Sequence, residues 1–180
     1  MLNLYQPTLL EEWIEAHYNS IGMHSPADLD IDIIAHSFRA DVVYMPGAKE
    51  EAIWDEERTV IFLNPDKPYE EIREAFFHEL CHPLRHSGNQ LMLPRTFREL
   101  QEIQANQFQL YAAMPFFMIR QMRLQDGDNI IHLLSEEFRI THKLASRRLD
   151  QIKRRIYYGK AREEFVKKLS SQYTKEVHEQ

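Results

Sequence analysis

The segment HELCH, residues 78–82, constrains this chain more than any other part of its sequence. It lies in a stretch that begins with Pro68 and two acidic residues and keeps apolar residues at helical spacing, which predicts a helix. Four residues make about one helical turn, so His78 and His82 project from the same face and can share one metal ion. Glu79 lies about 100° round the helix, where its carboxylate can reach a water molecule on that ion. The segment therefore predicts a metal site on a helix.

This arrangement is typical of a catalytic zinc site. Two neutral imidazoles hold Zn²⁺, one coordination position stays open, and the bound water has a pKa of roughly 7. A nearby carboxylate then removes a proton as the water attacks a carbonyl group. The alternative is a surface helix on which histidine and glutamate are simply solvated. The predicted strand shortly before the helix favours the zinc site, with one Zn²⁺ per chain.

A catalytic zinc site takes a third protein ligand, and the downstream sequence offers three candidates: His86, Glu99 and Glu102. Pro83 interrupts the hydrogen bonds of the helix, so the helix should kink or end nearby and the direction of His86 cannot be derived. Glu99 stands three residues after Thr96, where the two complete a predicted capping box at the start of the next helix.

Glu102 is the predicted third ligand. It shares a helix face with Asn106, four residues on, and a carboxylate ligand with an amide one turn away is a suitable pair for a metal site. Asn106 and His86 are therefore candidates for residues that hydrogen-bond the ligands or stabilise an oxyanion, and His86 is equally readable as a plain loop histidine.

The remaining sequence predicts a mixture of helices and short strands. Helices are expected over 9–21, 31–38 and 96–113, and from 116 onward with breaks near 125–129 and near Gly159. A short β-rich run covers 40–45, and two strands around a polar turn at 55–58 form a hairpin. Val60 to Leu63 is a candidate edge strand on which a peptide substrate could lie, or simply a strand of the hairpin.

Cysteine content and hydropathy predict a cytoplasmic protein. Cys81 is the only cysteine, so no intramolecular disulfide can form. The N-terminus lacks the basic and apolar regions of a secretion signal, and no window approaches the roughly 18 apolar residues of a membrane span. The position of Cys81 beside the predicted ligands suggests either binding of a soft metal or sensing of oxidation, against inert packing as the alternative.

Positive charge is concentrated near the C-terminus. Residues 139–168 hold eleven Lys or Arg and three acids, a local charge of +8, while the whole chain carries −6 and the remainder therefore −14. Residues 133–155 read as a helix, a short break and a second helix, so a helix-turn-helix with Arg147, Arg148 and Lys153 facing phosphate is one hypothesis. A solvated basic face, or a dock for an acidic protein partner, is the alternative.

Two motifs carry a resemblance to a known family. HELCHPLRH, followed by EIQANQFQLYAAMP, resembles the ImmA/IrrE family of metallopeptidases, with its H-E-L-x-H-x-x-x-H and E-x-E-A-N-x-F-A patterns and a Met-Pro stop. The similarity covers residues 28–115 well and the C-terminal helices loosely. The chain departs from the family pattern at four positions: Cys81, Pro83, Gln104 and Gln109.

The resemblance implies a zincin-like α+β fold, in which a small antiparallel sheet or hairpin packs on an active-site helix pair and further helices follow. It implies that His78, His82 and Glu102 bind zinc and that Glu79 is the base. The expected organisation is a metallopeptidase domain over 1–120 and a helical extension over 121–180.

The implied activity is that of a zinc endopeptidase. Family members most often cleave a helix-turn-helix repressor of a phage or integrative element, and some act in stress responses. Expected partners are such a repressor and an accessory activator, with no membrane. The alternative function is a DNA-binding regulator that uses the basic C-terminal helices.

Overall fold

A computed structural model of the chain describes residues 4–86, 94–123 and 129–178, with side chains as far as Lys168. Helices pack on a short sheet and on one another. The elements are α1 (Leu9–Ser20), a 3-10 turn (Pro26–Asp28), α2 (Ile31–Ser37), β1 (Ala40–Tyr44), β2 (Glu51–Trp54), β3 (Thr59–Leu63), α3 (Tyr69–Arg85), α4 (Arg95–Ala113), α5 (Phe116–Ile119), α6 (Ile130–Phe138) and α7 (His142–His178). The α+β class predicted from the sequence is confirmed.

The first two helices form where the sequence predicts them because polar residues cap them. Thr8 caps α1 through its side chain, and Glu11 returns a hydrogen bond to the Thr8 backbone, which completes a capping box. Asp30 accepts hydrogen bonds from the first turn of α2. Both helices end within one residue of their predicted ends.

In the described part of the chain, three strands form one sheet in the order β1-β3-β2. The predicted hairpin is confirmed, since β2 and β3 are antiparallel and Asp55 organises the turn by accepting hydrogen bonds from two backbone N–H groups. Strand β1 joins β3 in parallel, so the sheet is mixed and only its hairpin is antiparallel as expected. Residues 60–63 therefore lie in the central strand, so their predicted position at an edge is wrong. Strand β2 lies at an edge instead.

Helix α3 follows the sheet and buries one face against the core. Its buried apolar side chains include Phe76, Phe77 and Leu80. The helix ends at Arg85, two residues after Pro83, which agrees with the expected end near this proline. The HELCH residues, 78–82, lie within α3 before this end.

Helix α4 begins two residues earlier than a Thr96 cap would place it. Pro94 occupies the N-cap position with φ −54° and ψ 148°, and no side chain caps this end. The predicted capping box is therefore wrong, and Glu99 pairs with Arg95 at 2.8 Å instead. The preceding loop, residues 87–93, lies outside the described residues. The end of α4 at Ala113, before Met114 and Pro115, agrees with the prediction.

Helices α6 and α7 form the predicted helix, short break and helix. The turn is made by Arg139, which adopts the left-handed conformation at φ 50°. Helix α7 then runs through Gly159 without a break, so the predicted break there is wrong: one glycine costs a helix only about 1 kcal/mol. The other expected break, near 125–129, falls on residues 125–128, which lie outside the described residues, and on Asn129, which caps α6.

Arg148 is fully buried and fixes α7 to the rest of the fold. Its Nη2 lies 2.7 Å from Oε1 of Glu11, its Nε donates to the carbonyl of Met114 and its Nη1 donates to Gln151. Tyr5 completes the network by donating its hydroxyl to Glu11 at 2.7 Å. Arg148 therefore cannot face a phosphate group, and that part of the helix-turn-helix hypothesis is wrong.

One cluster of buried apolar side chains extends from Tyr5 in the N-terminal segment to Ile156 in α7. Side chains of α1, the sheet, α3, α4 and α7 all contribute to it. The division of the chain near residue 120 stays a prediction.

The Glu11–Arg148 pair should make stability depend on acid. Burial alone would raise the pKa of Glu11, but Arg148 and hydrogen bonds from Thr8 and Tyr5 lower it below its ordinary value of 4.5. Because the folded pKa is the lower one, the pair stabilises the fold fully above pH 4.5, and this stabilisation is lost as the pH falls through the folded pKa.

We expect Glu11→Gln to lower the free energy of unfolding at pH 7 by about 3 kcal/mol, since the guanidinium of Arg148 stays buried without its counter-charge. Its unfolding free energy should also fall less between pH 7 and pH 3 than that of the wild type. Urea titrations at both pH values measure this. Glu12→Gln, on the exposed side of the same helix, is the control. Equal losses in the two variants would contradict the role of the pair.

Candidate metal centre

One turn of α3 brings three potential metal ligands together. His78, Glu79 and His82 each offer a ligand atom, and these atoms lie within 4.8 Å of one another. The imidazole rings of His78 and His82 are 5.3 Å apart between centroids. The arrangement follows from the four-residue spacing and from burial of the opposite face of α3.

Glu102 reaches this group from α4. Its carboxylate oxygens lie 3.1 Å from Nε2 of His78 and 3.7 Å from Nε2 of His82. The Glu102 side chain is half exposed, so the site opens to solvent on this side. The structure thus brings together the three residues predicted as ligands from two different helices.

The donor set suits zinc. Ligands at about 2.0–2.1 Å from a tetrahedral ion are about 3.4 Å apart, and the two nitrogen–oxygen distances above bracket this value. Burial lowers the pKa of His82 to about 4, which keeps its imidazole neutral and able to coordinate. Two imidazoles and one carboxylate leave a fourth position for water or substrate, as in catalytic rather than structural zinc sites.

Glu79 is held beside the ligands by the sheet. The backbone N–H of Ala52 donates to Oε2 of Glu79 at 3.1 Å. The backbone N–H of Asp55 donates to the carbonyl of Arg58 across the turn. Hydrogen-bonded and non-hydrogen-bonded pairs alternate along an antiparallel hairpin, so Ala52 and Ile61 form a non-hydrogen-bonded pair. The N–H of Ala52 therefore points away from β3. The carboxylate therefore lies at the outer edge of the sheet.

The surroundings of Glu79 favour its protonated form. Burial raises the pKa of Glu79 to about 7, and the negative charge of Glu102 acts in the same direction, while the hydrogen bond from Ala52 opposes both. A carboxyl group with a pKa near neutrality can take up and release a proton at the pH of the cell. This suits the role of base predicted for it.

His86 lies behind His82. The two Nδ1 atoms are 3.1 Å apart, and Nε2 of His86 is 3.0 Å from Oε1 of Gln104. Trp54 covers the His82 ring on another side, nearly parallel to it at 6.3 Å between centroids. The His86 ring therefore contacts the predicted ligand His82. The sequence could not predict its direction, because Pro83 was expected to end the helix nearby.

Asn106 is less directly engaged. Its amide donates to the backbone carbonyl of Glu102 at 2.7 Å, not to the carboxylate. The amide therefore supports the backbone of α4 at the ligand position. Its predicted action on the ligand side chain or on an oxyanion stays a prediction.

The site also includes Ala52, Trp54 and Gln104, which the sequence does not predict as members. Ala52 acts through its backbone N–H, which no side-chain pattern reveals. Trp54 lies on a strand whose inward face could not be assigned before the sheet order was known. Gln104 does carry a signal, because it replaces a glutamate of the E-x-E-A-N motif two residues after Glu102.

Cys81 points into the core despite its place beside His82. Its side chain is buried, and burial raises the pKa of the thiol to about 12. A thiol that stays protonated is a poor nucleophile and a poor metal ligand. Burial therefore favours inert packing of Cys81 over binding of a soft metal or sensing of oxidation.

No helix in the described ranges 4–86, 94–123 and 129–178 is long and apolar enough to cross a membrane.

Comparisons with known proteins agree with the geometry. The model of a peptidase family, described as the IrrE N-terminal-like domain, matches residues 27–150. Among curated proteins of Bacillus subtilis (strain 168), the phage-like element PBSX protein XkdA is 37% identical over 162 residues, which cover 89% of this chain and 79% of that protein. The uncharacterized protein YqaB is 27% identical over 161 residues, which cover 87% and 88%.

Zinc binding tests the ligand set. We expect one zinc per chain in the wild type, and zinc content that falls sharply in His78→Ala, His82→Ala and Glu102→Ala, because each removes one of three protein donors. Elemental mass spectrometry of the purified variants measures this. Glu99→Ala, an exposed acid on the same helix as Glu102, should keep its zinc. A Glu102→Ala variant that binds zinc like the wild type would remove Glu102 from the set.

Thiol labelling tests the placement of Cys81. We expect the folded protein to react negligibly with an alkylating reagent at pH 8, because the thiol is buried and protonated. The same protein unfolded in guanidinium should take up one label per chain, counted by intact-mass spectrometry. Fast labelling of the folded protein would show that Cys81 is accessible.

Proposed function

Since the chain belongs to the IrrE N-terminal-like peptidase family, we propose that it is a zinc-dependent endopeptidase that cleaves a regulatory protein in the cytoplasm. The proposed substrate is a helix-turn-helix repressor of a phage or mobile element. The observation that carries the proposal is the convergence of His78, His82 and Glu102 beside a partly buried carboxylate, Glu79.

The chemistry follows from this donor set. Zinc, when bound, polarises the scissile carbonyl and acidifies a water molecule. His78, His82 and Glu102 would hold the ion, while Glu79 takes the proton of the attacking water and later gives it to the leaving amine. In the protein without a bound peptide, the N–H of Ala52 holds the Glu79 carboxylate beside the ligands.

A protein substrate can approach along the edge of the sheet. Strand β2 lies at that edge in the described part of the chain, and its residue Ala52 touches the catalytic carboxylate. An extended peptide that pairs with the outward side of β2 would pass directly over the metal centre. This strand replaces residues 60–63 as the candidate docking strand.

The proposed biological setting rests on the relatives. Members of the family are generally zinc metallopeptidases, and XkdA is named as a protein of a phage-like element. A repressor that controls such an element is a protein that a dedicated peptidase would inactivate. An accessory protein that activates the cleavage is part of the proposal.

The alternative is DNA binding through the basic C-terminal helices. Exposure of Arg147 and Lys153 favours it, whereas the burial of Arg148 removes a third of the predicted phosphate-facing set. Its affinity for DNA would fall steeply with salt. The two functions separate in a variant of Glu79, because this residue lies in α3, far along the chain from α7.

We expect Glu79→Gln to keep bound zinc and lose repressor cleavage by roughly 10²–10⁴-fold, because the amide cannot accept the proton of water. The assay incubates the zinc-loaded protein with helix-turn-helix repressors from the same genome and maps fragments by mass spectrometry. Glu71→Gln, exposed in the first turn of α3, is the control. Salt-sensitive DNA binding without cleavage of any repressor, unchanged in Glu79→Gln, would support the alternative function instead.

A further inference from the structure

A chain of hydrogen-bonding side chains leads away from the metal centre. Nδ1 of His82 faces Nδ1 of His86 at 3.1 Å, and Nε2 of His86 faces Oε1 of Gln104 at 3.0 Å. His82 and His86 are 4% and 7% exposed, so little water competes for these nitrogens. These hydrogen bonds thus connect His82, a predicted ligand on α3, to the Gln104 amide on α4 through the imidazole of His86.

When both imidazoles are neutral, the donors and acceptors of these two hydrogen bonds can be arranged in two ways. In the first, the Gln104 oxygen accepts a hydrogen from Nε2 of His86, so Nδ1 of a neutral His86 is bare and accepts from Nδ1 of His82. Nε2 of His82 is then free of hydrogen and offers its lone pair on the side of Glu102. This is the form in which His82 can bind a metal ion.

The second form is incompatible with coordination. If Gln104 donated through its NH₂ group, His86 would donate to His82, and the hydrogen of His82 would lie on Nε2. A protonated Nε2 has no lone pair for a metal. Whether Gln104 accepts or donates therefore decides whether Nε2 of His82 is available to a metal ion.

We propose that His86 is a positioning residue that, with Gln104 as the terminal acceptor, holds His82 in the tautomer that binds zinc through Nε2. The proposal rests on the zinc site of the proposed function. It assigns His86 to the support of a ligand, because the His86 ring lies on the Nδ1 side of His82 and away from the nitrogen that faces Glu102. The alternative role in stabilising an oxyanion would require the opposite side.

The backbone explains how a residue after the helix reaches this place. Pro83 brings α3 to an end at Arg85, and His86 adopts an extended conformation at φ −120° and ψ 133°. Its backbone N–H still bonds the carbonyl of His82 at 2.9 Å, which keeps the last turn closed. The ring therefore returns beneath the residue four positions earlier.

Zinc affinity of His86 variants tests the proposal. The dissociation constant is measured by competition with a chromophoric chelator, for zinc alone and without any peptide substrate. We expect His86→Ala to bind zinc roughly 10–100-fold more weakly than the wild type, the usual effect of removing a partner of a ligating histidine. Arg85→Ala, the exposed neighbour, should stay within a factor of two.

Gln104 variants separate the tautomer from simple packing. Gln104→Glu keeps an acceptor facing Nε2 of His86 and should bind zinc within a few-fold of the wild type, whereas Gln104→Leu should lose affinity in the direction of His86→Ala. Gln104 is exposed, so these variants should fold even if His86→Ala does not. Nitrogen-15 NMR of the zinc-loaded wild type should show the His82 ring hydrogen on Nδ1.

The possible outcomes distinguish the proposed role of His86 from the proposed peptidase function. Zinc affinity of His86→Ala or Gln104→Leu equal to that of a zinc-binding wild type would overturn the role of His86 and leave the peptidase proposal intact. Equal weakening in Gln104→Glu and Gln104→Leu, or a His82 hydrogen on Nε2, would also overturn it. A wild type that binds no zinc would overturn both, and one that binds zinc with this pattern but cleaves no repressor would overturn the peptidase alone.

Discussion

The two-sided character of α3 is the constraint on which the rest of the structure depends. One face buries Phe76, Phe77 and Leu80 in the core, and this fixes the rotation of the helix about its axis. A slip of one residue would turn the helix by about 100° and carry the imidazoles into apolar surroundings. The candidate metal centre is therefore positioned by residues that are not among its proposed ligands.

Buried arginines extend this rigidity to the outer helices. Arg73 of α3 donates to the backbone carbonyls of Leu29 and Phe138, and so ties the central helix to the segment before α2 and to the end of α6. Arg148 ties α7 to α1 through Glu11. Because a buried guanidinium without acceptors is costly, these contacts can form only in one arrangement of the helices.

Much of the fold was predictable because local signals and burial agree along this sequence. Periodicity and capping predicted α1, α2 and α3, and helical spacing selected Glu102, which the structure does bring to the two histidines. The failures have different causes. Pro94, not Thr96, occupies the N-cap of α4, tertiary contacts bury Arg148, and the cost of Gly159 is too small to break α7. Local patterns could not predict the strand order either, because it depends on the pairing of β1 with β3, which are not consecutive strands.

The contact between Ala52 and Glu79 has a consequence for how the site meets a peptide. The N–H group that holds the carboxylate is an outward group of the edge strand, which an extended chain would use in pairing with β2. The Glu79 side chain and an incoming peptide would thus compete for a single donor. In the unbound protein this one N–H group of the edge is satisfied internally, which removes one of the donors that another strand could pair with. Selectivity for a partner can therefore begin at the sheet, before any bond is broken.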